Sequence, residues 1–345
     1  MRALVLVAFG RLEVQELPDP EPGPGEVVVR TAFTGICGSD LHGFTGANGR
    51  RVPGQVMGHE TSGRVVALGS GVTAPAVGTA VTYNPVVVPA ADAAAWRGRE
   101  QQHPGKWVIG VRPDLVAAFA ELVVVPARNV LALPEGMEMA HGALVEPLAV
   151  ATHAVGRLGP IGGPVLVTGG GPIGQSLVVA LRRAGVAQVV VSEPTEARRE
   201  VLAALGATAL DPTVAPVQEQ VRAVLGRPAA AALDAVGTSG SLADCLVATA
   251  PGATVCLVGM ATPRLELPAF EISTAERTLV GSFAYSGEDF TAALAGLAAA
   301  PEAAPVLISR VVPLTAAADA FAALAAGDGT PGKVLVDLAE EVTRG

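Results

Sequence analysis

Val167-Thr168-Gly169-Gly170-Gly171-Pro172-Ile173-Gly174 is the stretch that decides the fold. Gly169-x-Gly171-x-x-Gly174 ends an apolar run and opens an amphipathic one, which is the context this glycine spacing needs to mean a dinucleotide site. The first glycine allows a tight turn, the second lets backbone approach a pyrophosphate, and the third lets helix and strand pack closely. Free N–H groups at the start of the helix then face the diphosphate. Glu193 stands 19 residues beyond Gly174, at the end of the next apolar run. A carboxylate there accepts hydrogen bonds from both ribose hydroxyls and repels a 2′-phosphate, so NAD is expected and NADP disfavoured. Arg198 and Arg199 pull the other way, since a guanidinium can bind that phosphate; their ordinary reading is solvated helix charge. We assign Gly169, Gly171, Pro172, Ile173, Gly174, Glu193, Arg198 and Val258 to the nucleotide.

Around this turn the pattern alternates. A strand at 164–168 leads to a helix from Ile173 to Ala184; a strand from Gln188 to Val191 leads to a helix from Thr195 to Leu205. Ala231–Val236 and Ala253–Val258 read as two further strands. Such βα units specify a parallel sheet with helices on both faces, an α/β doubly wound domain. Residues 1–147 read differently. The runs Glu26–Phe33, Ser62–Leu68 and Ala80–Tyr83 are short and β-rich, and Gly/Pro clusters punctuate them, so a β-barrel-like domain is expected. The last 60 residues return to helix and strand, end in Lys333–Asp337, and are expected to pack back on the first domain. The domain boundaries are placed at 1–149 plus 285–345 and at 150–284.

Composition narrows the function. The chain has 345 residues, half of them hydrophobic, enough for two domains with their own cores. A net charge of -9 and only two lysines, Lys106 and Lys333, argue against nucleic acid or an anionic membrane as partner. Met1–Gly10 is a short apolar run that reads as a strand rather than a secretory signal, and no uncharged stretch of about 20 residues suggests a membrane span. Cys37, Cys245 and Cys256 make no disulfide framework, so the cytoplasm is the expected compartment.

A second constellation carries chemistry. Gly35-Ile36-Cys37-Gly38-Ser39-Asp40-Leu41-His42 is followed by Gly58-His59-Glu60, with Val145-Glu146-Pro147-Leu148 further on. Singly, each residue has a plain explanation: a lone cysteine is a small buried hydrophobe, a lone histidine a satisfied polar group. Together they offer three N/S/O ligands with a fourth position open, the pattern of a catalytic zinc site. Cys37 and His59 would bind the ion, and Asp40 would accept from the second nitrogen of His59 and fix its tautomer. Glu146 is the expected third ligand. Glu60 is its competitor, holding a bound water or entering the shell transiently. Zinc lowers the pKa of water from about 16 to about 7 and should acidify an alcohol by the same route. Ser39, a cofactor ribose hydroxyl and a solvent-facing His42 would relay the proton out while hydride passes to the nicotinamide. Phe44, Asn48 and Arg51 either line the pocket or form an ordinary surface loop. His141 and His153 have no motif, and Cys245 and Cys256 are expected in the core.

These motifs resemble the zinc-dependent medium-chain alcohol dehydrogenase family along the whole chain. The resemblance implies a GroES-like catalytic domain interrupted by a Rossmann domain, with the active site in the cleft between them, and a homodimer or homotetramer. Glu146-Pro147-Leu148-Ala149-Val150 is similar to the branch of sorbitol, threonine, butanediol and aminocyclitol dehydrogenases. Three departures stand out. Many relatives bind a structural zinc through four cysteines; the corresponding positions here fall on about Pro89, Asp92, Ala95 and His103, two of which have no ligating side chain. One zinc ion per subunit is therefore expected, with apolar packing around Trp96 and Trp107 in place of the second. Sorbitol-type members carry an arginine after the Gly-x-Phe strand, whereas Gly281-Ser282-Phe283 is followed by Ala284, which disfavours a long open-chain polyol. Gly38 lacks the side chain that some relatives place on the pyrophosphate. The expected reaction is hydride transfer between NAD(H) and a secondary alcohol or ketone: a vicinal diol, amino alcohol, cyclitol or sugar derivative. The alternatives are a zinc-free enoyl or quinone reductase on the same architecture and a non-catalytic nucleotide-binding protein.

Overall fold

Val165, Val167, Val189 and Val191 point to one side of their strands and Leu166 and Val190 to the other, and all six are buried. Continuous apolar runs of this kind belong to a parallel sheet covered on both faces. The computed structural model, which describes residues 1–47 and 49–339, shows that sheet. Its six strands are all parallel. Their order is Thr208–Leu210, Val189–Ser192, Val165–Thr168, Ala229–Asp234, Thr249–Leu257, Thr278–Gly281. In chain order this is 3-2-1-4-5-6, the doubly wound dinucleotide-binding arrangement. The helix after the first strand runs Pro172–Arg183, with Gly171 as its N-cap and Pro172 at the first helical position, where the missing N–H costs nothing. A Cβ on Gly174 would come within 1.9 Å of the Gly169 carbonyl oxygen, so only glycine lets this helix meet its strand.

Several expected boundaries shift. The second helix is Glu196–Ala204 with Thr195 outside it, and the strand expected at Ala231–Val236 is Ala229–Asp234. It stops there because the Asp234 carboxylate turns back to accept from the N–H groups of Val236 and Gly237. The edge strand Thr208–Leu210 is too short to stand out in the sequence, whereas the helix Val217–Leu225 carries Val217, Val221, Val224 and Leu225 at helical spacing. Val258 lies one residue beyond the end of its strand.

The chain forms two units: Pro147–Ala284 is one, and Met1–Glu146 joins the chain from Tyr285 onward to make the other. In the latter, Glu26–Gly35 is the central strand. Its first half pairs with Leu122–Pro126 and its last three residues pair with Lys333–Asp337; Glu60–Leu68 runs along its other edge. That exchange of partners brings the end of the chain beside the Cys37 motif. Gly35 pairs with Glu60 on one side and Leu335 on the other. Valines of these strands form one core around Tyr83 and Ile109. Leu4, Leu6, Phe44, Phe119 and Phe321 form another. Phe44 therefore belongs to the core; its ring packs 5.8 Å from that of Phe321. Asn48 lies outside the described residues. Among the described residues, no helix is long and apolar enough to cross a membrane.

Candidate active site

The helix Gly38–Thr45 begins at Cys37, and its third residue, Asp40, turns back to it. Asp40 Oδ2 accepts from the Cys37 N–H at 3.2 Å, which caps the helix and leaves Oδ1 to face His59 Nδ1 at 3.5 Å. His59 enters from the turn before the strand Glu60–Leu68. One donor atom each from Cys37, His59 and Glu60 lies within 4.8 Å of the other two. Thiolate, imidazole and carboxylate suit zinc, and three protein ligands leave a coordination position open. His59 Nδ1 and Asp40 Oδ1 are buried and complete no hydrogen bond among the described residues; a carboxylate facing one ring nitrogen is the usual support of a histidine whose other nitrogen holds a metal. The residues present fit the ion.

Charge is concentrated here. Burial pushes the His59 imidazolium toward deprotonation, but Asp40 and Cys37 outweigh it and hold its pKa well above the ordinary value. Burial likewise pushes the Asp40 carboxyl up; His59 and Arg51 overcome it and bring it below the usual range. Lys333 Nζ donates to Glu60 Oε1 at 2.8 Å and lies 2.7 Å from Oε2. It is buried, yet Glu60, Cys37 and Glu146 hold it charged against that desolvation. A Cβ on Gly35 would come within 2.2 Å of Glu60 Oε2 and 3.2 Å of Lys333 Cδ, so this motif glycine makes room for the ion pair.

Glu146 was expected as the third ligand. It does not join the cluster that Cys37, His59 and Glu60 form; its Oε1 instead accepts from Tyr285 Oη at 2.7 Å. Burial, only partly offset by His59 and reinforced by Glu60, raises its carboxyl from the ordinary 4.5 to about 7. Sequence reading missed both partner residues. Lys333 is one of two lysines among 23 basic residues and begins an apolar strand, which was the available signal. Tyr285 follows Ala284, whose φ of +49° is a left-handed conformation that few side chains adopt. Ser39 and His42 sit three residues apart on one helix face, Ser39 half-buried and His42 exposed. Arg51, read as either a pocket residue or a surface loop, is only 2 % exposed.

In the second unit, Glu193 is buried with both carboxylate oxygens in use: Oε2 accepts from Gly170 N–H at 2.7 Å and Oε1 from Thr195 N–H at 2.8 Å. It thus braces the glycine turn besides facing it. Arg198 Nη1 lies 3.9 Å from Glu193 Oε2, while Arg199 is taken up by the Glu193 and Pro194 carbonyls and by Asp211. Cys245 and Cys256 are fully buried, as expected.

The lobe at 89–112 departs from purely apolar packing. His103 pairs with Asp92 at 3.2 Å, accepts from Gly105 N–H at 2.9 Å, and meets the Trp96 ring edge-on at 4.8 Å. Arg99 and Arg112 cover the faces of Trp96 and Trp107. Asp92 and His103, two of the four positions that the resemblance sets against the structural zinc ligands, thus form a hydrogen-bonded pair inside an aromatic and cation–π stack.

A parallel dinucleotide sheet joined to a β-rich unit with a Cys–His–Glu cluster defines a metal-assisted oxidoreductase. The comparisons give the family. Residues 23–135 match the alcohol dehydrogenase GroES-like domain, and residues 172–299 match the zinc-binding dehydrogenase domain. L-threonine 3-dehydrogenase of Pyrococcus abyssi is 37% identical over 262 residues, 73% of each chain. Sorbitol dehydrogenase of Ovis aries is 31% identical over 326 residues, 92% of each chain. A structure described as a short chain alcohol dehydrogenase from E. coli CFT073, complexed with NADH, superposes with a TM-score of 0.88 at 28% identity. It covers 98% of this chain and 99% of that one. The chain belongs to the zinc-dependent medium-chain alcohol dehydrogenase family: it is an α/β enzyme with GroES-like and Rossmann portions, and it acts on alcohols.

Proposed function

We propose that this enzyme interconverts a secondary alcohol and its ketone, using NAD(H) and one zinc ion per subunit held by Cys37, His59 and Glu60. The observation that carries this reading is the cluster of half-buried Cys37 with buried His59 and Glu60, backed by Asp40 and Lys333. In this reading Glu60 replaces Glu146 as third ligand, because Tyr285 holds Glu146 back while Lys333 presents Glu60. A bound zinc ion supplies Lewis acidity that lowers the pKa of a hydroxyl group.

The chain's own residues do the rest. Ser39 accepts the hydroxyl proton and passes it along the helix face to His42, which releases it to solvent. The carbon gives up hydride, with both electrons, to the oxidised nicotinamide, leaving ketone, reduced cofactor and one proton. In the second unit Gly169, Gly171, Pro172, Ile173 and Gly174 receive the diphosphate at the helix start, and Val258 lines the nucleotide site. Glu193 favours NAD, since a buried carboxylate braced by two backbone donors repels a 2′-phosphate.

The threonine and sorbitol dehydrogenases among its relatives support a vicinal diol, amino alcohol, cyclitol or sugar-derived substrate. Ala284, where sorbitol-type members carry arginine, argues against a long open-chain polyol. The chain is read as a cytoplasmic homodimer or homotetramer. A panel of these alcohols with NAD, followed by reduced-cofactor absorbance before and after zinc removal, tests the reading. Activity should vanish with zinc and return on its addition. Turnover that survives complete metal removal points instead to a zinc-free reductase.

A further inference from the structure

Arg51 is the residue that the reaction leaves unused and the packing does not explain. Its side chain is 1% exposed, and its Nε and Nη2 are buried without a hydrogen-bond partner among the described residues. Burying a guanidinium is costly unless a negative charge stands close by. One does: Arg51 Nη2 lies 3.6 Å from Asp40 Oδ1, the same oxygen that faces His59 Nδ1 at 3.5 Å.

The path of the side chain is built in. A Cβ on Gly43 would meet Arg51 Cγ at 2.3 Å and Met57 Sδ at 3.1 Å. Gly43 lies inside the helix Gly38–Thr45, where glycine is destabilising relative to alanine. The helix carries that weakness at the one place where the arginine stem crosses it.

We propose that Arg51 is a positioning residue of the metal centre: threaded over Gly43, its guanidinium fixes Asp40 Oδ1 and thereby aims His59 at the zinc ion. This rests on the Cys37–His59–Glu60 reading above. Asp40 has two oxygens with two tasks. Oδ2 is fixed by the Cys37 N–H, and Oδ1 needs a fixed cation on its far side if His59 is not to be its only anchor. Without Arg51 the carboxylate is free to turn about its Oδ2 contact, and the imidazole loses the partner that sets its ring orientation. Removing such a supporting group typically costs 10–100-fold in metal affinity.

Three variants test this: Arg51→Met keeps the stem and removes the charge, Arg51→Lys keeps a charge, and Gly43→Ala displaces the stem while leaving the guanidinium. Zinc affinity is read by competition with a chromophoric chelator, and ligand geometry by the visible bands of the cobalt(II)-loaded protein. Circular dichroism establishes that each variant is folded. Arg51→Met and Gly43→Ala should bind zinc about 10–100-fold more weakly and shift the cobalt bands, and Arg51→Lys should stay within about fivefold of the parent. Affinity within twofold of the parent in both Arg51→Met and Gly43→Ala overturns the proposal, as does Arg51→Lys being as weak as Arg51→Met. If Arg51→Met does not fold, Gly43→Ala and Arg51→Lys decide. A parent protein that binds no zinc would instead overturn the metal-site reading itself.

Discussion

Lys333→Met removes the cation that faces Glu60 and keeps a side chain of similar length. Both partners are essentially without solvent, at 3% and 0% side-chain exposure, and 2.7 Å apart. Breaking a buried pair from one side leaves an uncompensated charge and costs about 3–5 kcal/mol. Here the cost falls toward the upper end, because the remaining carboxylate sits near a second one, Glu146. In a unit of roughly two hundred residues each kcal/mol moves the unfolding midpoint by about 2–4 °C, so the metal-free variant should melt about 6–20 °C below the parent. Zinc supplies the missing positive charge if Glu60 is a ligand. Saturating zinc should therefore raise the variant's midpoint by more than it raises the parent's. Differential scanning calorimetry of both proteins, chelated and zinc-loaded, gives the four midpoints. A chelated variant within about 2 °C of the parent, or equal zinc-induced shifts in the two proteins, would refute the reasoning.

The other perturbations address the proton path, the cofactor and pH. His42→Ala should slow turnover by about 10²-fold, with recovery by small imidazole bases in the assay; an unaltered rate would remove His42 from the relay. Glu193→Ala deletes the carboxylate that braces Gly170 and should weaken NAD and raise the relative efficiency with NADP, read as the ratio of kcat/KM for the two cofactors. Glu146 has a pKa raised from the ordinary 4.5 to about 7, so the folded state binds its proton more tightly than the unfolded state does. The associated stability is complete below about pH 4.5 and is lost as pH rises through 7, amounting to about 3 kcal/mol. Chelated Glu146→Gln should lack this decline between pH 5 and 8 in a denaturant titration series, whereas parallel slopes for parent and variant would assign it to other groups.

The doubly wound sheet was legible because its signals are local. The glycine spacing, the apolar strand before it and the acidic residue after the next strand all lie within thirty residues and express backbone rules that no distant contact overrides. The Cys37–Asp40 cap is equally local, one helical turn written in four residues. What the sequence left open is a matter of partners far apart in the chain. Lys333 reaches Glu60 across 273 positions, and Tyr285 reaches Glu146 across 139. Those two contacts pair Glu60 with a lysine and Glu146 with a tyrosine, and neither has a period or a motif to announce it. In the sequence Arg51 reads equally as a pocket residue or a surface-loop residue, and only the missing Cβ of Gly43 shows where its stem goes. The chain by itself thus determined which elements form and which ligand types it carries. The tertiary structure decided which carboxylate lies with Cys37 and His59 and which cation stands behind it, because burial and charge balance are properties of neighbours in space.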